Sequence, residues 1–297
     1  MTRYIKSFQN ANAIQEAVNN EELLKPYVAY NETTATIDYN TKKSLKETPL
    51  TFEIVSGGTI VWKATNTANT VTLEYSKNGG EWTEITSSTD GTPITVSAGD
   101  TVQFRGNSTN RYNLFGDSTA KYNIKGNIMS LIDKDNFATI TNLTTLIFTN
   151  LFSSSYYYRN TGLIDASKLV LPATTLAIGC YQQMFYGCTS LTNAPELPAS
   201  TLALNCYNRM FYDCTSLTAA PALPATTLVF NCYSDMFNGC TNLNYIKCLA
   251  TDISASSCLT NWVSGVASSG TFVKDASMTS WTEGVSGIPT GWTVEDI

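Results

Sequence analysis

The chain has 297 residues, 43% hydrophobic and 14% charged, which gives room for two or three packed units and excludes both a single small module and a disordered tail. A formal net charge of -6 disfavours electrostatic binding to nucleic acid or anionic membranes, and the absence of histidine excludes Ser-His-Asp and Cys-His catalysis as well as His-containing zinc sites. No apolar run reaches the roughly 18 residues of a membrane span, and the opening MTRYIKSFQNANAIQEAVNN lacks the apolar core of a secretory signal, so with Met1 as the start the expectation is synthesis in the cytoplasm.

Residues 1–45 read as a small α+β segment. A helix is predicted around residues 11–24, with Ile14, Ala17, Val18 and Leu24 on related faces; Pro26 and two β-like runs, YVAY and TATIDYN, follow. Through Tyr4, Ile5, Phe8, Pro26, Val28 and Tyr39 this opening resembles the N-terminal segment of fibre-type virion proteins from phages that infect Bacteroidetes. The resemblance implies a docking segment that joins other virion proteins.

Residues 46–132 read as an all-β sandwich. The runs LTFEIV, TIVWKAT, TVTLEYS, WTEITS, ITVS, TVQFRG and KYNIKG are separated by GG, NGG, DG and AGD turns. Asn78-Gly79 signals a type I′ turn. The stretches Ser76–Glu81 and Ala98–Asp100 lack the alternating carboxylates of a calcium loop and read as turns.

From residue 133 a repeat dominates. LPATTLAIGCYQQMFYGCTSLTNAPE (171–196), LPASTLALNCYNRMFYDCTSLTAAPA (197–222) and LPATTLVFNCYSDMFNGCTNLNYIKC (223–248) share a period of 26 residues without a gap. An irregular copy precedes them, with Ile147-Phe148 and Leu151-Phe152 matching CYQQMF, and a degenerate one follows around Cys258 and Trp262. The Cys-Tyr-x-x-Met-Phe spacing predicts a short helix with Cys180, Met184, Phe185, Cys206, Met210, Phe211, Cys232, Met236 and Phe237 buried, and Leu-Thr-x-Ala-Pro-x-Leu-Pro predicts one strand. The core F-x-G-C-T-S-L with its Leu-Pro boundary resembles the BspA-like leucine-rich repeats of Bacteroidetes and their phages. The expected fold is therefore mixed: an α+β N-terminal segment, a β-sandwich (46–132), an α/β leucine-rich-repeat solenoid with 26-residue rungs (133–262) and a capping segment (263–297).

The eight cysteines follow the repeat, which favours a ladder of buried free thiols over a disulfide framework or metal ligation. Carboxylates are sparse and share no spacing, and no phosphate loop or dinucleotide fingerprint is present, so neither catalytic residue, cofactor nor metal is expected. Outward-facing candidates for recognition are Tyr156, Tyr157, Tyr158, Arg159, Tyr186, Asn208, Arg209 and Tyr212, where aromatic rings beside polar groups suit a glycan or protein. The expected function is a non-catalytic structural and recognition protein of a phage virion, a head or tail fibre or decoration component. Its expected partners are other virion proteins, further copies of itself, a trimer being one option, and a host-surface glycan or protein, without nucleic acid or membrane insertion. The alternative is a bacterial cell-surface or secreted BspA-like adhesin.

Overall fold

The computed structural model describes residues 27–31, 36–40, 44–65, 67–108, 113–154 and 160–297. Contacts divide the chain into two units, Met1–Ser44 and Leu45–Ile297. In the first, β1 (Tyr27–Asn31) and β2 (Thr36–Asn40) pair antiparallel, with Tyr27 opposite Asn40. These strands are the two β-like runs of the sequence. The helix expected over 11–24 lies outside the described residues.

The second unit begins as two facing sheets. β3 (Leu50–Ser56), β5 (Thr72–Lys77), β6 (Thr83–Thr86), β8 (Thr101–Arg105) and β10 (Lys121–Asn127) belong to a six-stranded sheet of order β11-β10-β3-β8-β5-β6, whose last member is β11 (Leu163–Val170). β4 (Gly58–Ala64), β7 (Thr92–Val96) and β9 (Asn113–Phe115) form the other sheet, order β7-β4-β9. Period-2 alternation buries Leu50, Phe52 and Ile54 from β3 and Val102 and Phe104 from β8. Across the gap Phe115 meets Phe52 at 4.8 Å and Phe104 at 4.8 Å, and Trp62 packs on Phe115 at 4.9 Å. Asn78 and Gly79 both adopt positive φ (55° and 72°) and Gly80 N–H donates to Lys77 O at 3.0 Å, as a type I′ turn requires. Asp100 accepts from Asn78 Nδ2 (2.8 Å) and Ser97 N–H (2.7 Å) and pairs with Lys77 (2.8 Å), so the turns at 77–80 and 97–100 pin each other.

The sandwich and the repeats share one core. β10 and β11 pair in parallel, and an aromatic file runs Phe115–Phe152 (5.8 Å), Phe152–Phe185 (5.6 Å), Phe185–Phe211 (5.4 Å) and Phe211–Phe237 (5.7 Å). Buried Asn160 clamps this junction. It accepts from Tyr122 Oη at 2.8 Å and donates to Phe115 O at 2.9 Å and Phe152 O at 3.1 Å.

The α/β leucine-rich-repeat solenoid expected over 133–262 is not formed. Among the described residues there is no α-helix, and the only helical turns are 3-10 segments at Leu45–Glu47, Thr67–Asn69 and Ile128–Leu131, outside the three blocks. The 26-residue blocks instead lie over one another as layers of consecutive turns. In the first layer Gly179, Gln183 and Gly187 have φ of 58°, 56° and 70°; Asn205, Arg209 and Asp213 repeat this at 58°, 54° and 56°, and Asn231, Asp235 and Gly239 at 57°, 52° and 79°. A left-handed residue at every fourth position breaks any right-handed helix. Backbone donors alternate accordingly. Gln182 and Met184 N–H bond within the layer, to Gly179 O (3.1 Å) and Tyr181 O (3.2 Å), whereas Gln183 and Phe185 N–H reach the next layer, at Asn208 O (2.9 Å) and Met210 O (2.9 Å). An α-helix would keep all its interior donors to itself; the turns release half of them to bind layer to layer.

The expected strand per repeat is corrected too. Most layers hold only isolated parallel bridges, such as Asp165 to Asn193 and Thr175 to Thr201. Pro195 and Pro198 in the first layer boundary, and Pro221 and Pro224 in the next, supply no N–H to a ladder. In the third block, where Asn-Tyr-Ile-Lys-Cys carries no proline, β12 (Tyr245–Cys248) forms and starts a parallel sheet with β13 (Thr271–Lys274) and β14 (Thr293–Asp296). Trp262, stacked on Tyr233 at 6.4 Å and donating to Gly287 O at 2.8 Å, lies beyond the last full layer together with Trp281 at 6.0 Å.

Left-handed φ at a residue with a long side chain carries strain that glycine does not. Gln183→Gly is therefore expected to raise the unfolding free energy by about 0.5 kcal/mol, the relief being partly offset by the greater entropy of an unfolded glycine. Urea unfolding that places the variant below the parent would show that the Gln183 side chain contributes more than its backbone costs.

Candidate recognition surface

The inner face of the layers is apolar and closed. Cys180, Met184, Phe185, Cys206, Met210, Phe211, Cys232, Met236 and Phe237 are fully buried, in files that also include Tyr181, Tyr207 and Tyr233. All eight cysteines are free and buried. Burial pushes the Cys180 and Cys232 thiols up to about 12 and Cys206 well above its ordinary value, so these groups stay protonated and non-nucleophilic near neutrality. A second file has a different use. Cys188, Cys214 and Cys240 donate their thiols to Phe152 O (3.1 Å), Phe185 O (3.1 Å) and Phe211 O (3.0 Å) of the preceding layer, adding a side-chain bond to the backbone ladder.

The outer face begins one residue after each phenylalanine. Tyr186 and Tyr212 emerge there, partly exposed, with rings stacked at 4.8 Å and inclined by only 5°. Burial, and then the neighbouring Tyr212 and Asp213, raise the Tyr186 phenol above its ordinary value. Arg209 projects from its left-handed position and donates Nε–H to Asp235 Oδ2 of the next layer at 3.2 Å, while Asn238 Nδ2 donates to Asp235 Oδ1 at 3.1 Å. Asp213 has a half-buried carboxylate, raised above its ordinary value by that burial, with no hydrogen-bond or ion partner among the described residues.

Asn208 belongs to the interior and not, as the sequence suggested, to this surface. Its side chain accepts from Gln182 Nε2 at 3.2 Å and donates to Ser234 O at 3.2 Å, forming an amide ladder through three layers. Tyr156, Tyr157, Tyr158 and Arg159 lie outside the described residues. Sequence reasoning passed over Asp213, and also an exposed apolar file, Ile178, Leu204 and Phe230, that repeats at the same 26-residue spacing. The signal for the file was present in TLAIG, TLALN and TLVFN; what it lacked was the direction of each side chain, which depends on the turn geometry.

A groove of about 440 Å³ on the sandwich is lined by Thr72, Glu74, Glu84, Asn107 and Lys134 among others. Glu74 there pairs with Lys134 and with neighbouring Arg105 (2.7 Å), the Lys134 contact chiefly holding the Glu74 carboxyl below its ordinary value, and Arg105 also lies over the Trp82 ring at 3.9 Å. Comparison with protein-family models, with curated proteins and with solved structures finds no match.

Proposed function

We propose that this chain is a non-catalytic structural and recognition protein of a phage virion, docked through its N-terminal unit and displaying the layered repeats outward. The observation that carries the reading is the unbroken core and backbone ladder from the sandwich through the last layer, which supports a stiff element holding variable side chains in fixed positions. The Met1–Ser44 unit, compact by itself, supplies a separate module for attachment to other virion proteins. Eight buried free thiols favour assembly in a reducing cytoplasm over maturation in an oxidising secretory route. A symmetric homo-oligomer, with a trimer as one form, fits display at a virion attachment point.

Mass spectrometry of purified particles, with antibody labelling to locate the protein, tests this. The full chain is expected in particles, and a chain lacking residues 1–44 is expected to be made and folded yet missing from them. Detection on uninfected bacterial cells, with none in particles, would move the assignment to a bacterial surface protein.

A further inference from the structure

Down one side of the stack the chain returns in successive rows. β11 is followed by residues 193–198 and 219–224, which hold equivalent places in consecutive blocks, and then by β12, β13 and β14. Asp165 bridges to Asn193, Ala219 to Tyr245 and Leu223 to Cys248, while Tyr245, Thr271 and Thr293 stand in register. Alternation turns Leu197, Leu223 and Cys248 inward, which leaves Glu196 and Ala222 exposed and Lys247 partly exposed on the outside. Tyr245, two residues before Lys247, shares that outer side and is 38% exposed.

Pro195 and Pro198 offer β11 no N–H, and a groove of about 400 Å³ opens between the two rows. Leu45, Val170, Pro172 and Pro198 line it, together with Lys46, Lys168 and Glu196. Among the described residues the side chains of Lys46, Lys168, Glu196, Lys247 and Glu295 make no ion pair or hydrogen bond. The other charges of these rows are engaged: Lys274 with Asp296, Asp165 with Ser167 N–H (2.7 Å) and Asn193 Nδ2 (3.1 Å), and Asp275 with Ser277 N–H (2.8 Å). Unsatisfied charge therefore runs along the stack as positive at Lys46 and Lys168, negative at Glu196, none at Ala222, positive at Lys247 and negative at Glu295. Reversed, this order is its own complement.

We propose that a second copy of this chain docks on this side of the stack about a two-fold axis at Ala222, its Lys247 meeting Glu196 and its Tyr245 entering the groove against Pro198, with the same contacts made reciprocally. A two-fold axis reverses both the order of the rows and the direction of the strands. β12, one row beyond Ala222, then falls on the row of Glu196, and Tyr245, two residues before Lys247, falls two residues after Glu196. Glu295 arrives at the lysine end, near Lys46 and Lys168. Another partner would have to supply the reversed charge order; the chain supplies it by itself, and an isologous contact closes at two copies. The tyrosine ring adds contact area at the groove with little loss of side-chain freedom. The inference rests on the homo-oligomer named above and gives it an interface.

Sedimentation of the full chain from about 1 to 100 μM reads the association, and a dimer is expected. Glu196→Lys and Lys247→Glu each place like charges in both reciprocal contacts, so each is expected to weaken the dimer about a hundredfold or more, with the melting temperature unchanged. An equimolar mixture of these two variants restores opposite charges in both contacts and is expected to dimerise although neither does alone. Tyr245→Ala is expected to weaken the dimer about tenfold. A parent that stays monomeric over the whole range, oligomers that survive both charge reversals, or a mixture that fails to associate would overturn the proposal. Because these readings are made on isolated protein, their failure is distinct from absence of the chain from particles.

Discussion

Phe211→Ala is expected to lower the unfolding free energy by about 3–5 kcal/mol, the usual cost of emptying a fully packed aromatic site. Phe211 is fully buried between Phe185 at 5.4 Å and Phe237 at 5.7 Å, each inclined by 4°. The cavity cannot close cheaply, because the backbone on both sides is tied: Phe185 N–H to Met210 O at 2.9 Å, Phe211 N–H to Met236 O at 2.9 Å, and the Cys240 thiol to Phe211 O at 3.0 Å. The next residue is the internal control. Tyr212 is partly exposed with its ring on Tyr186, so Tyr212→Ala is expected to cost about 1 kcal/mol. Urea unfolding of the two variants reads the difference. Equal losses would mean that the inner and outer faces of the layers are misassigned.

Asn160→Ala is expected to cost about 2–4 kcal/mol, because it takes a hydrogen-bond partner from three buried groups at once. The Tyr122 hydroxyl loses its acceptor, and the carbonyls of Phe115 and Phe152 lose a shared donor. These groups come from the sandwich and from the first, irregular repeat, so the damage falls on the seam between them. Adding Tyr122→Phe removes one stranded group. The double variant is accordingly expected to be less destabilised than the sum of the singles, and strict additivity in that cycle would show that the hydroxyl–amide bond contributes nothing to holding the seam.

Much of the architecture could be read in advance where a residue's side chain and its backbone ask for the same thing. The alternation in LTFEIV and TVQFRG places Phe52 and Phe104 inside whatever the neighbouring strands do, and Asn78-Gly79 specifies its turn because both positions take positive φ. The buried files of the repeat follow from identity at 26-residue intervals, since equivalent residues in stacked copies must share an environment. Tyr212 was read as outward and is partly exposed. Asn208 was placed beside it on the surface, yet its amide has neighbours above and below that satisfy it, which makes burial affordable.

The sequence by itself determined the period, the identity of the inner files and the strands β3 to β8 and β10, because these depend on hydrophobic pattern and on local turn chemistry; the short β9 and the edge strand β11, which lies in the stretch expected to be solenoid, were not among the runs it marked. The tertiary structure decided the conformation within each layer. Cys-Tyr-x-x-Met-Phe is compatible with a helix, and spacing alone cannot distinguish it from a chain of turns with the same residues inside. The turns prevail because stacked copies offer each backbone donor a partner in the next layer, and that exchange tolerates left-handed φ at Gln183, Arg209 and Asp235, which an isolated segment would avoid. The position of the Asp213 carboxylate over Gly239 arises in the same way: the two residues are 26 apart, and only the stacking of one layer on the next brings them together.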